Sequence, residues 1–126
     1  MNKKILDRYG KIVTNSVYDD AVSNFINLIN GTTKWGIGKE YTEVLQKLNK
    51  EDQDQLLDYL KKTIGTVIFG MLGVFEENEE FKIIYESKGK QVDLVKISEM
   101  LKAEPTIEGG WIDRFSEFSD KRDKES

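Results

Sequence analysis

The stretch from Leu57 to Phe75 constrains this chain more than any other. Leu57, Leu60, Ile64, Val67, Ile68, Met71 and Phe75 keep the helical period. After Lys62 apolar residues fall on nearly every side, the pattern of a buried central helix. The same residues also support a strand. Thr63, Ile64, Thr66, Val67 and Ile68 are β-branched, and Gly65, Gly70 and Gly73 each disfavour helix by about 1 kcal/mol. In that alternative Val67–Phe75 is a strand and Glu76–Glu80 a hairpin loop. Helix is the expectation adopted, with the glycines letting another backbone approach closely. The apolar run Thr63–Phe75 holds 13 residues, short of the roughly 20 that a membrane span needs, so it reads as core.

Upstream, Ile5, Tyr9, Ile12 and Val13 share one face of a helix over residues 2–14. Asn15-Ser16 looks like a break. Ser16 is a good N-cap, and Asp19 stands where a capping-box acid would. A second helix follows with Tyr18, Ala21, Val22, Phe25, Leu28 and Ile29, stopped by Gly31. Residues 31–38 have turn chemistry, and Tyr41, Val44, Leu45 and Leu48 then mark a short helix. Asn49 can cap the next one, whose first turn carries Glu51, Asp52 and Asp54 where the macrodipole favours acids.

Downstream, Phe81, Ile83 and Tyr85 alternate with Lys82 and Glu86 as a strand. A glycine turn at 87–90 lets Gln91-Val92 pair back. Asp93 caps a helix carrying Leu94, Ile97 and Leu101 and closed by Pro105; Trp111, Phe115 and Phe118 form a last helical stripe. The fold class is therefore α+β: a predominantly α-helical single domain over residues 1–118, four to six helices with a short β element around 81–92. Residues 119–126 lack apolar side chains and read as a frayed tail.

Composition removes chemistry. The chain has no cysteine and no histidine, so disulfides, thiolate catalysis, histidine triads and Glu-x-x-His di-iron sites are excluded. Its net charge of −4 disfavours nonspecific binding to nucleic acid. Met1–Lys11 is basic, but Ile5-Leu6 is its one apolar run, which is not a signal peptide; the expected location is cytoplasmic, and Asn30-Gly31-Thr32 is a chance sequon.

Motif candidates fail in detail. Gly36-Ile37-Gly38-Lys39 lacks the spacing and following Ser/Thr of a phosphate loop. Asp52-Gln53-Asp54 lacks the glycine and distal glutamate of a calcium loop. Asp19-Asp20, or Asp58 with a neighbour, could pair as catalytic carboxylates, but chance adjacency among 23 acids accounts for them. No metal or cofactor is expected. Trp111 belongs with its stripe as core, whereas Trp35, in a polar glycine loop, is a candidate contact residue. Glu76, Glu77, Glu79 and Glu80 crowd a helix C-terminus, where the macrodipole disfavours acids. They are a candidate surface for a basic partner, with a solvated turn as the plain alternative.

The leading expectation is a non-enzymatic protein-interaction module, of which a toxin-neutralising or other inhibitor is one form. The alternative is a small-ligand binder or enzyme using carboxylate, lysine or tyrosine groups in a pocket near Trp35. A homodimer built on the glycine-bearing helix 64–75 is a third.

Overall fold

A computed structural model describes residues 1–33 and 38–119. Among these, six α-helical segments and one antiparallel hairpin give the α+β architecture expected. In chain order the elements are α1 (Asn2–Val13), α2 (Asp20–Asn30), α3 (Thr42–Gln46), α4 (Lys50–Glu77), β1 (Ile84–Ser87), β2 (Lys90–Asp93), α5 (Leu94–Ile97) and α6 (Trp111–Phe115).

The expected break at Asn15-Ser16 does not occur. Thr14–Asp19 is a π-helical segment that joins α1 to α2 without interruption, and Ser16 caps nothing. The stripe explains why. Leu6, Gly10, Thr14, Tyr18 and Val22 are all buried and recur every four residues. In a straight α-helix each four-residue step overshoots a full turn by about 40°. The stripe would soon rotate away from the core, and the wider π turn winds it back. Gly31, in the left-handed region at φ 70°, ends α2 as expected.

Trp111 is the largest wholly buried side chain and lies on Gly10, where an added Cβ would come within 2.5 Å of its ring. Tyr9 meets the indole edge-on at 5.9 Å between centroids, and burial raises the pKa of its phenol. The core continues through Ile5, Leu6, Val22, Ile68, Leu72, Leu94 and Leu101.

Asp19 does not cap a helix. It is buried, and its carboxylate accepts from Ser116 Oγ at 2.6 Å and from the Glu117 N–H at 3.2 Å. Ser116 Oγ in turn accepts from the Phe118 N–H, and Ser119 Oγ donates to the Asp113 carbonyl. Hydrogen bonds, together with Phe118 packed on the core, thus hold residues 116–119. Phe118 lies beyond α6, which ends at Phe115, and Ser119, expected in the frayed tail, is buried in the fold. The rest of that tail lies outside the described residues.

Val67–Phe75 is helix, within α4. Asn49 caps α4 by accepting the Asp52 N–H at 2.8 Å. At the far end Asn78 Nδ2 donates to the Val74 carbonyl at 2.9 Å. The strand is shorter than expected and starts at Ile84; Phe81 is exposed, while Ile83 and Tyr85 pack on the core. The hairpin turns at Lys88 and Gly89, both at positive φ, the geometry that matches strand twist in two-residue turns. Asp93 caps α5 by accepting the Val95 N–H. That helix lasts a single turn, however. Ser98 is extended, and Leu101 reaches the core from a separate 3₁₀ turn, Leu101–Ala103. Tyr41 and Val44 are exposed, so the stripe expected for α3 is not an inward one; only Leu45 and Leu48 are half-buried.

Candidate interaction surface

The geometry of α4 departs most from expectation. At 28 residues it is about 42 Å long, and its neighbours cover one side. That side presents Gly65, Ile68, Leu72 and Gly73, all buried. Segment 101–106 crosses it and is tightest against Gly65. An added Cβ at Gly65 would lie 3.1 Å from Thr106 Cγ2, and at Gly73 3.5 Å from Lys102 Cδ. The expected close approach of another backbone does not occur at these glycines; the atoms nearest Gly65 and Gly73 belong to side chains.

The opposite side was expected to be buried and is not. Val67 is 63% exposed and Met71 60%, with Val74, Leu56 and Tyr59 also exposed. Gly70 lies among them, and a Cβ there would meet nothing within 4 Å. A glycine inside a helix costs about 1 kcal/mol relative to alanine, and no neighbour among the described residues requires this one. The face is an apolar strip along one element, next to charged residues at its C-terminal end.

The four glutamates at that end divide. Glu76 is drawn into the fold: its carboxylate accepts the Lys102 N–H at 2.6 Å, which anchors the 3₁₀ turn to α4. Glu77 lies 3.9 Å from Lys102 Nζ and stays largely exposed. The Lys102 ammonium also sits 5.4 Å from the centre of the Phe69 ring, and a cation over an aromatic face is favourable. Glu79 and Glu80 are exposed in the link to the hairpin. An acid at a helix C-terminus is thus partly compensated by the crossing segment, a partner the local sequence does not reveal. Trp35 lies outside the described residues.

A cleft of about 690 Å³ opens on another flank of α4, against Pro105, Thr106, Ile112 and Phe118. Its lysines are engaged. Lys61 Nζ donates to the Phe118 carbonyl at 3.3 Å, and Lys62 pairs with Asp58 at 3.0 Å. Asp19 and Asp20 do not form a carboxylate pair on one ligand, since Asp19 is committed to Ser116 and Glu117 while Asp20 faces solvent. Asp52 and Asp54 occupy the first turns of α4, where Asp54 pairs with Lys50 at 2.7 Å. Among the described residues no group of three or more acids is placed to hold a metal ion, and no helix is long and apolar enough to cross a membrane.

The exposed strip on α4 could have been sought in the sequence. Val67, Met71 and Val74 are four and three apart, as Gly65, Ile68 and Leu72 on the buried side are three and four apart, and the long helix therefore carries two apolar stripes. Comparison with protein families, with characterised proteins and with solved structures finds no match to this chain.

Proposed function

We propose that this chain is a cytoplasmic protein-interaction module that docks a partner on the outward face of α4. One observation carries the proposal: Val67, Met71 and Val74 stand exposed around an open Gly70 on a single helix face. Continuous exposed apolar patches of this kind mark interaction sites more often than scattered single residues do. Glu77, Glu79 and Glu80 border the face with negative charge, which favours a protein partner with basic groups and disfavours nucleic acid. Inhibitors, including those that neutralise toxins, are one form such a module takes. Binding by this face needs no catalytic group.

The test is to replace Val67 and Met71 together by lysine and to measure binding to the protein that co-purifies with the wild-type chain. Both side chains are largely in solvent, so the fold persists, with circular dichroism as the check. Affinity should fall at least about tenfold, on the scale of losing one interface anchor. Undiminished binding would remove α4 from the interface. Replacing Glu77, Glu79 and Glu80 by glutamine should slow association and flatten its salt dependence, since rim charges act mainly on the on-rate.

A further inference from the structure

We propose that the pocket between α1 and the hairpin is a ligand site for a small monocarboxylate with an apolar body, its carboxylate held by Arg8. None of the lining comes from α4, so the site stands apart from the docking face.

The pocket begins with the spacing on α1. Ile5, Arg8, Tyr9 and Ile12 recur at i, i+3, i+4 and i+7 and share one helix face. Ile83, Ile84 and Tyr85 line it from the hairpin side. Together with Leu94 they enclose a cavity of about 230 Å³. Ile5 and Leu94 are buried and form its inner wall, while Ile12 is 54% and Ile84 41% exposed at its rim. An apolar body seated there would take those rim side chains out of water, which is favourable in proportion to the area covered.

Size limits that body. A cavity of about 150 Å³ holds a benzene ring, and drug-sized ligands occupy about 300 Å³ or more. This pocket lies between the two. It fits one ring, or an alkyl chain of similar bulk, with a short polar arm.

Charge selects the arm. In a chain of net charge −4, the lining holds one basic side chain and no acid. Asp7, the acid next to Arg8 in sequence, is taken by Arg114 at 3.0 Å. Among the described residues no hydrogen bond or ion pair engages the Arg8 side chain. The larger cleft on α4 differs in this respect, since both of its lysines are engaged. A guanidinium is a planar fork that meets a carboxylate with two parallel hydrogen bonds. One such group balances a single negative charge, whereas a phosphate dianion would call for more. Tyr9 and Tyr85 carry the hydroxyls of the lining, and neither hydroxyl has a hydrogen-bond partner among the described residues. Burial raises the pKa of Tyr9, so its phenol keeps a proton to donate at neutral pH.

The test is a titration of the isotope-labelled full chain followed by amide NMR, with phenylpropionate as the aryl probe and octanoate as the alkyl one. Saturation is expected with a Kd of about 0.1–1 mM, and the amides that move should be those of residues 5–12, 83–85 and 94. The tighter of the two probes identifies the body. Arg8→Gln should weaken binding at least about fivefold. Arg8 is exposed and unpartnered among the described residues, so the fold persists, with the spectrum of the free variant as the check. Phenylpropanol, which lacks the charge, should bind weakly and should not distinguish the wild-type chain from Arg8→Gln. A loss confined to the charged probe belongs to the guanidinium and not to a disturbed pocket. Three results would each overturn the proposal: no saturation by either acid up to about 10 mM, equal binding to the wild-type chain and to Arg8→Gln, or shifts confined to the cleft on α4.

Discussion

The two sides of α4 are built from the same kinds of residue and meet opposite fates. Ile68 and Leu72 are buried, with Leu72 only 3% exposed, while Val67 and Met71, their immediate neighbours in sequence, stand in solvent. Each side also has glycine. Gly65 and Gly73 face Thr106 and Lys102, whereas Gly70 meets nothing among the described residues. Apolar character alone therefore does not define the core of this molecule; what defines it is which side α2 and the crossing segment 101–106 reach.

The sharpest way to break this contrast is to shorten one side chain on each face. Leu72→Ala should lose about 2–5 kcal/mol, the range for emptying a buried leucine site. Met71→Ala should change stability by no more than about 0.5 kcal/mol, as exposed substitutions do. Equal losses in chemical denaturation would show that the outward face is covered within the chain's own fold.

A smaller effect separates the glutamates. Glu76→Gln weakens a partly buried, charge-assisted bond to the Lys102 N–H and should cost about 1–2 kcal/mol. The same change at Glu79 or Glu80 should leave the thermal midpoint where it is, because both are exposed. A loss at Glu80 matching that at Glu76 would mean that the exposed acids also serve the fold.

The smallest effect has the opposite sign. Gly70→Ala should raise monomer stability by about 0.5–1 kcal/mol, since alanine is the better helix former and the site is open. Gly65→Ala gains the same propensity but presses on Thr106 at 3.1 Å, so its net gain should be smaller or absent. If the two substitutions prove equivalent, the crossing segment does not hold its place on α4.

Much of this organisation is legible in the sequence because its causes are local. Asn49, Gly31 and Asp93 cap or stop helices within four residues of themselves, and each does so as expected. Failures arise where the cause is distant. Ser16 and Asp19 imitate a capping box, yet Asp19 serves Ser116, which lies 97 positions away. Glu76 looks misplaced at a helix end until Lys102 arrives to use it. The outward face of α4 was hidden for a related reason. Periodicity shows that a residue is apolar and on which side of a helix it lies, but not whether anything lies against that side.

The bond between Asp19 and Ser116, together with the seat of Trp111 on Gly10, has a consequence for how the chain is made. The first helices leave the ribosome long before the indole that fills their groove. Until Trp111 and Ser116 emerge, Gly10 lacks its cover and the Asp19 carboxylate lacks its donors. Until then the nascent helices carry unfinished apolar surface, the condition in which chains aggregate or engage chaperones. Closure waits on almost the last described residues, so translation that stalls within α4 leaves a product unable to complete its own core.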